Sequence, residues 1–397
     1  MHIIENGNTA AALGVKLARA SVIAAYPITP QTPLTEKLAK MIDSGEMCAE
    51  YIPVESEHSA LAVCMAACSA GARAFTATCA NGLLYMHEQV QWAAGARLPL
   101  VMCVVNRAVG APWNVWNDQQ DSISQRDTGW IQIYASDHQQ IIDGVIKAFY
   151  LAERVNIPVM LCYDGYILSH THMPFELPEP EAVDRFLIPF KPDYLLDPAN
   201  PANLNTVTLP DVRTDVRGEL AHGYMEIRCL LQEDLQAVLK AAQETEDRFK
   251  DIFGRGGDAF MEPYRLEDAR YVVLGLGSLT YQLHDVVDHL RAEGLALGVL
   301  GVRLYRPFPA EALALAVRRA EGLIVIEKAL SYGYEGALCS DLKAALYTHA
   351  GPARPWVKGY IAGIGGREIK TADLTHTLRA AVHGPEDSAT PWIGLKL

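Results

Sequence analysis

The chain has 397 residues, half of them apolar and a fifth charged. That composition supplies a sizeable core, excludes wholesale disorder and fits two or three domains of about 100–200 residues each. Its 34 Lys and Arg against 47 Asp and Glu leave a formal charge of −13, which argues against a nucleic-acid scaffold but leaves room for one small basic pocket for an anionic substrate.

Taken in chain order, helical and strand-like segments alternate through residues 1–175, the pattern of a parallel α/β sheet. NTAAALGVKLAR reads as a helix with Asn8 as its N-cap, and SVIAAYP as a buried strand stopped by Pro27. A helix near 33–44, a strand at 51–54 and a small-residue helix at 57–70 follow. ARAFTATC is a strand, LLYMHEQVQWAAG one helix, and LPLVMCVVN a strongly buried strand. A long polar loop leads to a helix through 138–153 and the strand PVMLCYD. From 176 to 265 the texture changes to a Pro- and Asn-rich connecting arm and a charged helix near 231–253. Alternation resumes over 266–397: ARYVVLGLGS is a strand into a glycine turn, LGVLGVRLYRPFP a strand and exit loop, GLIVIEK and WVKGYIAG two further strands, with helices between and after them. The fold expected is two α/β domains with mainly parallel sheets. No apolar run reaches the roughly 18 residues of a membrane span. MHIIENGN opens with an acid and no basic segment, so the expected location is the cytoplasm, away from membranes.

Eight cysteines include no C-x-x-C pair, and Cys64 and Cys68 lie in the apolar context VCMAACSAG. They read as small core residues, and neither an iron–sulfur cluster, nor zinc, nor structural disulfides are expected on this chain. Gly275–Gly277 forms a G-L-G turn, but Thr280 stands where a dinucleotide fingerprint needs its third glycine, so a tight turn is preferred. His170 and His172 have metal-pair spacing without a third ligand, and loop packing is preferred.

Three turns carry more. YPITPQTPLTE holds Thr29 between Pro27 and Pro30, either as a rigidly placed donor to substrate or as part of a stiff entry loop. VESEHSALAV places Glu57 at a strand-to-helix junction, either as a helix cap or as a carboxylate tuned to act on a cofactor nitrogen. The loop 106–130 is too long and polar to be only a connector. Arg107 follows the most apolar strand directly, where its guanidinium suits a planar carboxylate held bidentately. Asp118 and Asp121 read as turn residues, and Trp113 and Trp116 as packing anchors.

Together, YPITP, the E-S-E-H turn, NRA…PWNVWNDQQDS…RDTGWIQ, LYRPFP, IEK…GYEGAL and the GGR at 365–367 resemble, in order and spacing, the α subunit of multi-subunit 2-oxoacid:ferredoxin oxidoreductases of the pyruvate synthase type. The resemblance implies a pyrimidine-type thiamine diphosphate domain over 1–175, a connecting arm and helix over 176–265, and a transketolase C-terminal-like domain over 266–397. The arm near 195–222 is its least matched part. It implies thiamine diphosphate at an interface, with the diphosphate and Mg²⁺ held by a β subunit through a G-D-G…N motif. This chain has no such string, since Tyr163-Asp164-Gly165 lacks the leading glycine. Iron–sulfur clusters are implied on γ- and δ-type partner subunits.

Carried over residue by residue, Glu57 hydrogen-bonds N1′ of the aminopyrimidine, with Pro27 and Ile28 also at the cofactor. Arg107 pairs with the substrate carboxylate, and Thr29 hydrogen-bonds that carboxylate or the developing alkoxide. The implied reaction decarboxylates a 2-oxoacid oxidatively, with coenzyme A taking the acyl group and ferredoxin or another acceptor taking the electrons. Pyruvate is favoured. The mostly small residues at 108–113 equally admit an aryl oxoacid such as phenylglyoxylate. A non-catalytic assembly subunit is one alternative class, and a transketolase-like sugar enzyme is another, though the latter needs a basic phosphate cluster that the sequence does not display.

Overall fold

A computed structural model describes residues 1–190, 213–214, 220–221, 223–351, 354–384 and 390–396. The first half runs β1 (His2–Asn6), α1 (Gly7–Leu17), β2 (Val22–Ala25), α2 (Thr32–Asp43), β3 (Glu50–Pro53), α3 (Glu57–Ser69) and β4 (Ala74–Thr78). It continues through α4 (Ala80–Tyr85), α5 (His87–Gly95), β5 (Val101–Asn106), α6 (Gln120–Ile123), β6 (Ile131–Tyr134), α7 (His138–Val155), β7 (Val159–Asp164), β8 (His172–Glu176) and α8 (Pro180–Phe186). Six of these strands form a parallel sheet in the order β3-β2-β4-β5-β7-β6. Every residue of β5 and β7 is buried, as expected of central strands covered on both faces.

A two-residue ladder, β9 (Arg213–Thr214) with β10 (Leu220–Ala221), precedes the 30-residue α9 (Tyr224–Phe253). Otherwise the arm expected at 195–222 lies outside the described residues. The second half comprises β11 (Met261–Tyr264), β12 (Tyr271–Leu276), α10 (Leu279–Ala292), β13 (Leu297–Val302), β14 (Leu304–Arg306), α11 (Ala310–Ala316), β15 (Gly322–Glu327), α12 (Ala337–His349), β16 (Trp356–Ile361) and α13 (Thr371–Ala381). Its sheet has the order β11-β13-β12-β15-β16, parallel except for β11. Helices cover both faces: Val273 packs with Leu283 and Leu378, whereas its neighbour Leu274 faces a second cluster with Leu338 and Leu342. That second cluster also contains Leu83, Val104 and Trp130 of the first half, so one core spans both sheets.

Three local expectations change. The α1 cap is Asn6, which accepts the Thr9 N–H, while Asn8 is buried and ties the helix to the loop after β2. The single helix expected over 83–95 breaks at Met86 into α4 and α5. LYR is not an exit loop: β14 leaves the second sheet and pairs antiparallel with β6 at the edge of the first. No helix among the described residues is long and apolar enough to cross a membrane.

Candidate active site

Because β2, β3, β4 and β5 are parallel neighbours, the turns after them gather at one sheet edge, where open α/β folds place ligands. The loop after β2 is pinned from several sides. Gln31, fully buried, accepts the Ile28 N–H at 3.3 Å and donates to the Ala77 carbonyl at 3.0 Å. Asn8 donates to the Pro30 carbonyl at 2.9 Å and accepts the Tyr163 hydroxyl at 2.9 Å. The Cys79 thiol donates to the Thr29 carbonyl at 3.3 Å. The backbone is thereby fixed, while Pro27 and Thr29 stay exposed and Ile28 half-buried. Among the described residues the Thr29 hydroxyl has no partner.

Arg107 is only 5% exposed. Its Nη1 donates to the Thr29 carbonyl at 2.7 Å, its Nε to the Asn114 carbonyl at 3.0 Å, and its guanidinium lies 5.8 Å from the Trp113 ring centre. Two edges of the fork are therefore spent on backbone oxygens, which leaves Nη2 and the second Nη1 hydrogen for a ligand. Asp121 does more than turn the chain. Fully buried, it accepts the N–H groups of Ala80 at 2.8 Å, Arg107 at 3.0 Å and Ser122 at 2.8 Å, and the Asn106 amide at 2.8 Å. It thus ties the end of β4 to the end of β5. Burial pushes its carboxyl above the ordinary range, opposed by those four bonds.

Glu57 opens α3, but the cap is Ser56, whose hydroxyl oxygen accepts the Ser59 N–H at 3.2 Å. With the cap position filled, the Glu57 carboxylate has no hydrogen-bond partner among the described residues. It rests against Gly82 of α4: a Cβ at that position would lie 2.6 Å from Glu57 Oε1 and 2.8 Å from Thr78 Oγ1. The Thr78 hydroxyl is buried and has no hydrogen-bond partner among the described residues. Next to Gly82, Asn81 accepts the Gly110 N–H at 2.9 Å. Thr29 and Arg107 therefore touch directly, Pro27 and Ile28 share the Thr29 loop, and Glu57 joins them through the start of α4.

The long polar loop is clamped to the second half. Asp118 accepts the Gly365 N–H at 3.0 Å, Asn114 donates to the Gly365 carbonyl at 3.0 Å, and the Gly366 N–H reaches the Asn117 carbonyl at 2.7 Å. Gly365 and Gly366 have φ of 61° and 77°, and a Cβ on Gly366 would stand 2.3 Å from Trp116 Cβ. Burial pushes the Asp118 carboxyl up to about 7. Below this clamp, buried Asp164 pairs with buried Lys328 at 3.2 Å and accepts the Ser278 N–H at 2.9 Å. Burial raises its proton affinity, but Lys328 and Ser278 hold it below the ordinary range. The G-L-G turn is consequently a docking turn, with Asp164 occupying the amide a nucleotide phosphate would use. Glu327 of the IEK motif caps α12 by accepting the Leu338 and Cys339 N–H groups at 2.9 and 3.1 Å. Cys64 and Cys68 are buried free thiols, and His170 stacks on Tyr166. Among the described residues no three His, Cys, Asp or Glu side chains gather to hold a metal.

Asp121, Gln31 and Gly82 carried no individual signal in the sequence, and the GGR motif gave no hint that its glycines clamp the polar loop. Their importance lies in backbone partners that only the fold supplies.

Residues 13–233 match the family described as pyruvate flavodoxin/ferredoxin oxidoreductase, thiamine diphosphate-binding, and residues 269–374 match pyruvate:ferredoxin oxidoreductase core domain II. Ketoisovalerate oxidoreductase subunit VorA of Pyrococcus abyssi is 43% identical over 99% of this chain and 98% of its own length. Pyruvate synthase subunit PorA of Methanothermobacter thermautotrophicus is 43% identical over 98% of this chain and 97% of its own. In fold, the chain is similar to a solved 2-oxoglutarate:ferredoxin oxidoreductase from Magnetococcus marinus, with a TM-score of 0.70 at 20% identity over 96% of this chain; it spans 65% of that chain's length. A split-gene transketolase gives a TM-score of 0.55 at 14% identity, covering 95% of this chain and 97% of that one. With both family models matched in sequence order and relatives of 43% identity covering nearly its full length, the chain belongs to the 2-oxoacid:ferredoxin oxidoreductases, as an α subunit with a thiamine diphosphate-binding domain.

Proposed function

We propose that the chain is the catalytic α subunit of a coenzyme A-acylating 2-oxoacid:ferredoxin oxidoreductase, with Glu57, Arg107 and Thr29 at the reacting centre. The contact of Arg107 Nη1 with the Thr29 carbonyl supports this most directly, because it sets a buried cation and a partner-free hydroxyl on one rim. The residues also fit the aminopyrimidine half of thiamine diphosphate. Glu57 is an acceptor without a partner among the described residues, Gly82 a wall that a Cβ would close, and Pro27 and Ile28 a stiff apolar ledge.

When bound, that cofactor supplies the electron sink for the electron pair left as CO₂ departs. Glu57 holds a proton at the pyrimidine N1′. Arg107 orients the substrate carboxylate with Nη2 and its free Nη1 hydrogen, and two carbonyls fix its rotamer in advance. Thr29 donates its hydroxyl to the carboxylate or to the developing alkoxide. A β subunit takes the diphosphate and Mg²⁺, in keeping with the missing G-D-G string, and γ- and δ-type subunits carry the iron–sulfur clusters to ferredoxin or another acceptor. Exposed Ile52, Leu84, Tyr85 and Trp92 around α3–α5 support a partner covering this edge. In this reading residues 1–175 are the pyrimidine domain, 176–265 the connection and 266–397 the transketolase-like domain, in a cytoplasmic complex.

The family, with a pyruvate synthase subunit at 43% identity, favours pyruvate, and the small Ala108, Gly110 and Ala111 beside Arg107 admit it without selecting it over an aryl oxoacid. The equal 43% identity to the ketoisovalerate subunit supports a branched 2-oxoacid as the second reading. In the assembled complex, Glu57→Gln should lower 2-oxoacid-dependent acceptor reduction by roughly 10²–10⁴; unchanged turnover would mean an assembly role only. Comparing kcat/KM for pyruvate, ketoisovalerate and phenylglyoxylate identifies the substrate. A tenfold preference for either of the latter two displaces pyruvate without touching the residue roles.

A further inference from the structure

Two sequence motifs take no part in the site above: RDTGW at 126–130 and LYRPFP at 304–309. They meet at a cleft of about 420 Å³ whose remaining wall comes mainly from the early turns of α9. Trp130 immediately precedes β6 and Arg306 pairs with Gln132 near the start of that strand, so the cleft sits at the amino end of the sheet. The active-site turns lie at the opposite, carboxyl end.

Three guanidiniums from distant stretches of sequence line the cleft: Arg126, Arg228 and Arg306. Arg306, with its side chain 17% exposed, is held by Asp341 at 2.8 Å. The other two are held less firmly. Arg126 has only the Asp127 carboxylate at 3.8 Å, on a side chain 82% exposed. Arg228 donates to the Tyr224 hydroxyl at 3.0 Å and lies over its ring at 5.0 Å, with no carboxylate in ion-pair range among the described residues. Trp130 and Phe308 add apolar wall. Against Asp127 on the cleft wall and Asp341 behind Arg306, the three arginines still leave the concavity net positive in a chain of charge −13, which makes it a candidate anion site. The fork of each guanidinium matches phosphate oxygens bidentately, and the volume falls in the range of small-molecule pockets, about 300–1,000 Å³.

We propose that this cleft binds a phosphate-bearing small molecule, a nucleoside diphosphate or the phosphorylated adenosine end of coenzyme A, through Arg126 and Arg228, with Arg306 as the fixed charge of its wall. The site is independent of the roles of Glu57, Arg107 and Thr29, and only its coenzyme A arm rests on the acyl-acceptor reading above. Isothermal titration of the assembled complex with ADP, coenzyme A and inorganic pyrophosphate tests it. Arg126→Ala and Arg228→Ala should each weaken binding by roughly tenfold or more, and Arg126→Lys, which keeps the charge and the packing, by less. Coenzyme A binding tenfold tighter than ADP, with a higher KM for coenzyme A but not for the 2-oxoacid in Arg126→Ala, assigns the cleft to the acyl acceptor. Equal affinities assign it to a free nucleotide. No binding of any of the three probes at millimolar concentration, or wild-type affinities in both alanine variants, overturns the proposal.

Discussion

Gly82→Ala separates the position of the Glu57 carboxylate from the stability of the fold. The new Cβ would lie 2.6 Å from Glu57 Oε1, 2.8 Å from Glu57 Cγ and 2.8 Å from Thr78 Oγ1, all closer than Cβ atoms tolerate. The Thr78 side chain is fixed on β4, so the mobile end of Glu57 yields. It must retreat by roughly 0.5–1 Å, and a misplacement of about 1 Å at a reacting centre costs on the order of 10²-fold in rate. Stability changes little: overpacking costs about 1–3 kcal/mol, offset by up to about 1 kcal/mol for alanine over glycine in α4. The assay pairs 2-oxoacid-dependent acceptor reduction by the complex with its thermal melt. The expected result is activity down by about two orders of magnitude and a melting temperature lowered by only a few degrees. Activity within threefold of the parent would refute the placement of Glu57, and a collapsed melt would make Gly82 a folding residue instead.

Arg107→Lys should raise KM for the 2-oxoacid well above its effect on kcat, because one ammonium cannot serve the Thr29 and Asn114 carbonyls and a carboxylate together; steady-state kinetics at unchanged KM would place the carboxylate elsewhere. Lys328→Met leaves Asp164 charged and buried and should cost about 3–5 kcal/mol in denaturant unfolding, with Lys328→Met/Asp164→Asn recovering part of it; a loss under about 1 kcal/mol would count against that latch. Asp118 titrates near 7 when folded against 3.8 as a free side chain, so the folded chain keeps a proton that the unfolded chain releases. Its contribution to stability is full below about pH 4, falls as pH rises, and is lost above about pH 7. Asp118→Asn should flatten that part of the melting-temperature profile between pH 5 and 8, and parallel profiles would refute it; Glu327, pushed up to about 7 by burial, keeps some slope in both proteins.

Strands β5 and β7 were legible in the sequence because burial on both faces makes them unbroken apolar runs. Strand β6 was not: its four residues, IQIY, are too few to stand out after a long polar loop, and Gln132, whose amide donates to the Ser122 carbonyl, is a buried polar residue among them. LYR read as an exit loop after β13 because local pattern cannot tell that so short a segment joins another sheet. Thr29, Glu57 and Arg107 were singled out through their motifs, but the contacts fixing Arg107 run to backbone carbonyls of Thr29 and Asn114, which no side-chain identity encodes. The cap at Ser56 was hidden because either neighbour of an E-S-E turn can serve. Arg126, Arg228 and Arg306 are unremarkable singly and become a cluster only once β14 and α9 are placed.

The crossing of β14 constrains how this molecule can move. A single residue, Arg303, separates the end of β13 in one sheet from the start of β14 in the other, and its carbonyl accepts the Tyr134 N–H at 2.7 Å while its own N–H donates to Phe260 at 2.9 Å. The halves thus share a seam of backbone hydrogen bonds, and swinging them apart in the manner of hinge-closing enzymes would unzip a sheet edge. Rigid-body opening between the halves is therefore opposed by this seam. The same three residues shield the outer rim of β6, which would otherwise offer unpaired amides and carbonyls to a foreign strand. A fragment cut between α9 and β11 would lose that shield and expose a sticky edge.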